Sequence, residues 1–164
     1  MELGLDLTAT NPQNEFSSWL HERASLETQQ AILQMHRGNF GAAMEQLETL
    51  VSADLPPHQQ TTVLYSLSGL CFYTHQIERS EILGRQALSQ SIDQQHPLLQ
   101  LRSLTNLGPI LYRRGNWSEA MEKLEEGIEF ARRLGDRRQR VMLSLNLAGV
   151  YLDTGRDQAA VGLI

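Results

Sequence analysis

Residues 104–124 read LTNLGPILYRRGNWSEAMEKL, and the fold follows from this stretch. Leu104, Leu107, Gly108 and Leu111 recur at three and four, with Leu101 one turn earlier, the spacing of one face of an α-helix. Gly115 stops that helix, because glycine takes the left-handed cap conformation without a Cβ penalty. Asn116 reads as the cap of a second helix, with Glu119 placed three residues on to return a bond to the cap. Trp117, Ala120, Met121, Leu124, Ile128 and Ala131 then fall on the inner side of this second helix, which stops at Leu134-Gly135. His96-Pro97 opens the first helix, since a proline in the first turn sacrifices no hydrogen bond. The stretch is therefore a helical hairpin.

The same pattern returns on either side. Gly38-Asn39-Phe40 with Ala43, His75-Gln76-Ile77 with Ser80, and Gly155-Arg156-Asp157 with Ala160 repeat the turn and the small residue of Gly115-Asn116-Trp117 with Ala120. Phe40, Ile77, Trp117 and Asp157 are separated by 37, 40 and 40 residues, a period that marks a repeat array. In the second repeat Pro56-Pro57 opens a helix striped by Leu64, Leu67 and Cys71, and Ile77, Leu83, Ala87 and Leu88 supply its partner. In the fourth, Asp136 caps a helix carrying Leu143, Leu147, Val150 and Tyr151. The first repeat is the weakest, with Leu26, Leu33, Phe40, Ala43, Leu47 and Leu50, and its helix begins as early as Asn11-Pro12. Residues 1–10 show no period and are expected to be loose. Ala43, Ser80, Ala120 and Ala160 mark where the two helices of a hairpin approach most closely, with Gly108 and Ala148 opposite. The expected fold is all-α: a solenoid of antiparallel helix pairs with about four repeats, the last truncated. Residues 1–18 form a tail or helix extension, and 19–164 form the array, with repeats at about 24–56, 57–95, 96–135 and 136–164.

These residues resemble the tetratricopeptide repeat, whose signature is W-x2-L-G-x2-Y, a later A-x3-F and a closing Pro. The third repeat matches through Leu104, Leu107, Gly108, Leu111, Gly115, Trp117, Ala120 and Leu124. The fourth matches through Leu147, Ala148, Tyr151, Gly155 and Ala160. The 40-residue interval, Asn106-Leu107-Gly108 and the Ala131-Arg132-Arg133-Leu134-Gly135-Asp136 ending look like the longer-helix subclass. That subclass includes kinesin light chains, polarity adaptors of the LGN/Pins kind and bacterial regulators. The resemblance implies a TPR-like α-solenoid and an adaptor or signalling module that binds a partner by protein–protein interaction.

Composition agrees with a folded module and removes other classes. The 164 residues are 41% hydrophobic and 20% charged, within the range of folded proteins. A net charge of −5 argues against general nucleic-acid binding, and no apolar run approaches the roughly 20 residues that cross a bilayer, so neither nucleic acid nor membrane is an expected partner. Cys71 is the only cysteine and nothing at the start reads as a signal peptide, so a cytoplasmic address is expected. His21, His36, His58, His75 and His96 are scattered without metal-site spacing, and no phosphate loop or nucleophile–base pair is evident. No metal, cofactor or catalytic residue is expected, and the chain is not read as an enzyme.

In stacked hairpins the first helix of each pair lines the concave side. Residues off the buried stripe on those helices are the partner-binding candidates. Asn106 and Asn146 lead, because a carboxamide carries a donor and an acceptor and can pair with a peptide backbone whatever its sequence. The resemblance implies an Asn ladder of this kind; the alternative is that each Asn bonds a neighbouring helix. Tyr65, Phe72 and Tyr73 offer an aromatic floor, Tyr112 stands beside them, and Arg102 and Arg113 offer forks for a carboxylate. The family's carboxylate-clamp variant needs lysines here, whereas Lys123 is the only lysine and falls on a second helix. Pro109 is expected to bend its helix and free the carbonyl of Thr105. Arg137 and Arg138 suit a helix N-terminus badly and are weighed as contacts for an acidic partner against a solvated turn. The alternative function is structural: a homo-oligomer that assembles through the apolar C-terminal end at Leu163-Ile164.

Overall fold

Periods of three and four become eight helices in the computed structural model, which describes the backbone of residues 12–163 and side chains from residue 18. They are α1 (Pro12–His36), α2 (Phe40–Val51), α3 (Pro57–Tyr73), α4 (Ile77–Asp93), α5 (Pro97–Arg113), α6 (Trp117–Leu134), α7 (Arg137–Asp153) and α8 (Asp157–Val161). There is no strand among the described residues. The expectations for residues 1–10 and for Asn11 as a cap lie outside the described residues; Pro12 begins α1.

Each helix packs on its neighbours in sequence. The backbones of the odd-numbered helices also approach one another, α1 with α3, α3 with α5 and α5 with α7, whereas those of α2, α4 and α6 do not. Helix pairs therefore stack side by side, and their leading helices form one shared wall. This is the arrangement of an α-solenoid and not of a closed bundle.

The turns repeat as well. Gly38, Gly115 and Gly155 have φ of 81°, 81° and 70°, and His75 takes the same place with φ 62°, a left-handed conformation that strains a residue with a Cβ. Asp136 caps α7 by accepting from the Gln139 N–H at 3.0 Å. Asn116 makes no side-chain cap bond. Its expected partner Glu119 is instead bound through both carboxylate oxygens by Arg85 of α4, at 2.6 and 2.7 Å, because a charged fork outcompetes a neutral amide.

The stripe Leu101, Leu104, Leu107, Gly108 and Leu111 is buried as read, as are Leu64, Leu67 and Cys71. Where the two helices of a hairpin cross, Ser68 and Ser80 donate to each other's backbone carbonyls, both at 2.8 Å and buried. One interval on, Gly108 lies against Leu124: a Cβ added to it would meet that side chain at 2.4 Å.

Three expectations about the core are corrected. Leu26 and Leu33 are 66% and 56% exposed, and Ala24, Thr28 and Ala31 are the buried face of α1. One interval on, Val63 and Leu70 are fully buried, as are Leu143 and Val150 two further intervals along. These positions pack on the preceding helix pair, and no described helix precedes α1. Trp117 is 46% exposed rather than inward. Gly127 joins the α6 core instead, where an added Cβ would meet Leu143 at 3.0 Å, so its lack of a side chain admits the next helix pair.

Candidate functional site

The wall of odd helices is furrowed between α3 and α7, with α5 as its floor. Two adjoining cavities of about 420 and 480 Å³ lie along it and share Gly69, Tyr73, Thr105, Asn106 and Met142. The first continues past Phe72, Pro109, Ile110, Tyr112 and Arg113 to Asn146. The second runs the other way, past Tyr65, Arg102, Arg138 and Gln139, to Ile32, Met35 and His36 of α1. All eight sequence-predicted site residues line this one trough: Tyr65, Phe72, Tyr73, Arg102, Asn106, Tyr112, Arg113 and Asn146.

The two asparagines are not equivalent. Asn106 spends its amide on a neighbouring helix, donating from Nδ2 to the Tyr65 carbonyl at 3.2 Å. Gly69 makes room for it, since a Cβ there would lie 3.3 Å from the same nitrogen. Asn146 is half-buried in the same trough and makes no side-chain hydrogen bond among the described residues. Its donor and acceptor capacity is unspent. Between the two asparagines sits Pro109. Helix α5 runs on through it, yet proline has no N–H to give the Thr105 carbonyl four residues back. The Thr105 hydroxyl lies 2.8 Å from the Leu101 carbonyl and 3.2 Å from Gln139 Oε1, which ties α5 to the first turn of α7.

Aromatic side chains form one side. Tyr73 is exposed and stacks parallel to Phe40 with ring centres 6.4 Å apart, while half-buried Phe72 meets Tyr73 edge-on at 6.1 Å. Burial pushes the Tyr65 phenol above its ordinary pKa, and the nearby Arg102 charge opposes that rise. Tyr112 donates its hydroxyl to the Asp153 carboxylate, bridging α5 and α7 at the trough's edge.

Charge is segregated. Helices α3 and α5 contain no Asp or Glu, and α7 has only Asp153, its last residue, on Tyr112. Arg102, Arg113 and Arg138 are exposed in the trough and make no ion pair among the described residues. The arginines that join neighbouring helices are committed: Arg79 to Glu48, Arg85 to Glu81 and Glu119, Arg114 to Glu78 and Glu81. Arg138 and Gln139 were not singled out as trough residues by sequence. The misfit of a cation at the start of α7 was the available signal, since the macrodipole there disfavours it.

The tetratricopeptide repeat family profile matches residues 100–134, the α5–α6 hairpin. The α5–α6 hairpin is a tetratricopeptide repeat. Solved structures agree over most of the chain. The TPR-like repeats of a kinesin light chain-type protein of Podosopora anserina superpose with a TM-score of 0.74 at 21% identity, covering 86% of this chain and 71% of that one. Aspartyl phosphate phosphatase F from Bacillus subtilis gives 0.77 at 12% identity, over 87% of this chain and 38% of that one. The Rap conjugation gene regulator of the plasmid pLS20, solved with the Phr* peptide, gives 0.72 at 14% identity, over 99% of this chain and 46% of that one. At such identities the likeness establishes the fold, and this chain spans less than half the length of the latter two proteins. No curated protein sequence matches the chain. No described helix is long and apolar enough to cross a membrane.

Proposed function

We propose that this array is a protein–protein interaction module that holds a peptide segment of a partner in the trough over α5. The observation that carries the reading is Asn146: a half-buried carboxamide with no partner, in a cavity walled by aromatic rings and floored by a helix whose Pro109 cannot serve the Thr105 carbonyl. Such a pair offers one donor and one acceptor to a peptide backbone, while Tyr65, Phe72 and Tyr73 offer rigid apolar area. A peptide complex of the structurally similar Rap regulator is consistent with this use of the fold. On this reading the array, divided at about 24–56, 57–95, 96–135 and 136–164 after an N-terminal extension, binds and does not catalyse. It acts in the cytoplasm as the adaptor or sensory part of a regulatory protein.

The test is a random-peptide display library panned on the wild type and on Asn146→Ala and Asn106→Ala/Asn146→Ala. The reading expects peptides that bind the wild type and are lost from both variants, while far-UV circular dichroism stays unchanged. If no selected peptide is sensitive to either variant, the trough is not the binding site.

Self-assembly is the second reading, and one observation favours it. Val141, Leu145 and Leu152 of α7 are 54%, 56% and 56% exposed, although Leu101, one interval before Val141, is fully buried. A second copy seated on this face would hide them. Sedimentation velocity across a concentration series should then show a dimer that Val141→Glu abolishes; a monomer at every concentration removes this reading.

A further inference from the structure

Peptide binding by itself leaves open what kind of peptide fits, and the charge pattern of the trough narrows the choice. A chain of net charge −5 with 19 acidic residues has placed none of them in α3 or α5. It exposes cations at both ends of the floor instead: Arg102 beside Arg138 at one end, Arg113 at the other. None of the three is engaged by a carboxylate of the protein, in contrast to Arg79, Arg85 and Arg114. Guanidinium groups left open in a concave site are set to take carboxylates bidentately, where an ammonium would act only as a point charge.

The register adds a length. Arg102 and Arg113 are eleven residues apart on α5, which is three helical turns plus about 20°, so they project from nearly the same face. At 1.5 Å per residue their positions are about 16 Å apart along the helix. An extended chain advances about 3.3 Å per residue, so it spans that distance in about five residues. Between the two ends the trough is lined by Tyr73, Met142 and Gly69 beside the unspent Asn146. Apolar side chains and peptide backbone suit that middle.

We propose that the occupant of the trough is an extended acidic peptide carrying two carboxylates about five residues apart with apolar residues between them, a deduction that rests on the trough's being the peptide site. Arg102 with Arg138 takes one carboxylate and Arg113 takes the other. A helical peptide would need its acids about eleven residues apart to reach the same two ends.

The experiment is fluorescence anisotropy with labelled, end-blocked Glu-Leu-Pro-Tyr-Leu-Glu. Its comparison probes replace both Glu by Gln, bring the two Glu to a spacing of two, or place them eleven apart in a helix-forming sequence. The first peptide should bind at least about tenfold more tightly than the Gln form, and Arg102→Gln or Arg113→Gln should each remove about fivefold of that preference. The preference should shrink at high salt, as screening requires. Equal binding of the Gln form, a preference untouched by both arginine variants, or better binding of the helical probe or of an oligothymidine overturns the proposal. Library peptides that depend on Asn146 yet carry no acidic pair would sink the acidic occupant and leave the trough as the binding site. Acidic peptides indifferent to Asn146 and to all three arginines would sink both.

Discussion

Gly108→Ala isolates the contact that lets the third helix pair close. In an exposed helix interior, alanine is favoured over glycine by about 1 kcal/mol. At Gly108 the new Cβ would meet Leu124 Cδ2 at 2.4 Å and Cγ at 2.6 Å, distances that require one of the two to move. Leu124 is fully buried with Leu101, Leu143 and Leu147, so any shift of it disturbs that cluster. Overpacking of this kind costs about 1–3 kcal/mol, and contact with Cγ as well as the flexible tip puts it near the upper end. The net change is then about 2 kcal/mol of lost stability, or a Tm lower by about 4–8 °C for a chain of this size. Gly149→Ala in α7 is the control, because nothing lies within 4 Å of its added Cβ, and it should raise Tm by about 2–4 °C. Combining Gly108→Ala with Leu124→Ala, which alone opens a cavity costing about 2–5 kcal/mol, should abolish the penalty of the first change. Thermal melts followed by circular dichroism on the four proteins give the cycle. If Gly108→Ala raises Tm as Gly149→Ala does, the close approach of α5 and α6 is not what the geometry says.

The equivalence of repeat positions makes a second prediction: Leu70→Ala, fully buried, should cost about 2–5 kcal/mol, whereas Leu33→Ala, one interval earlier and mostly exposed, should stay within about 0.5 kcal/mol. Equal losses in urea melts would contradict the assignment of Leu33 to an uncovered end. The Arg85–Glu119 pair supplies a pH signature. The Arg85 hydrogen bonds hold the Glu119 carboxyl below the usual carboxylate range, outweighing the opposing effect of burial. A depressed folded-state pKa stabilises the fold above the unfolded value of about 4.3 and loses that contribution as pH falls through the folded value. Arg85→Gln should therefore lose up to about 1 kcal/mol at pH 7, the ordinary scale for a partly exposed pair, and converge with the wild type as pH falls through the folded Glu119 value. A gap that persists unchanged throughout the acid range would show that the arginine acts through packing alone.

What was legible in the sequence is whatever local chemistry decides. Gly115, Gly135 and His96-Pro97 end and start helices by backbone conformation within a few residues, and the structure places those boundaries as read. The stripe of α5 was legible for the same reason, since a period of three and four survives any arrangement of neighbours. Leu26 and Leu33 carry the same apolar signal as Val63 and Leu70 but have no preceding pair among the described residues, and no periodicity tells a covered face from an uncovered one. Glu119 was assigned to its own helix cap because the competing Arg85 lies 34 residues away. Gly127 was not singled out, because its role as the seat of Leu143 depends on the next helix pair. In the trough, the eight candidate side chains were found by face, whereas the split between Asn106 and Asn146 was hidden. It depends on a bond from Asn106 to a carbonyl 41 residues away.

That split and the charge pattern have one physical root. Odd helices lie close enough for a carboxamide on α5 to reach the backbone of α3, so their shared face can satisfy polar groups internally, and Asn106 is consumed in doing so. The backbones of even helices do not approach one another, and the gaps between them are crossed by long charged side chains, Arg79 to Glu48 and Arg85 to Glu119. Acidic residues are useful on that outer side, where α6 alone carries Glu119, Glu122, Glu125, Glu126 and Glu129. On the inner side an acid in α3 or α5 would neutralise Arg102 or Arg113, and none is present. The arginines that tie one helix pair to the next are those with a carboxylate already in hand. Arg102, Arg113 and Arg138 stand apart from them, so substituting these three should alter what the trough binds and leave its stability nearly unchanged.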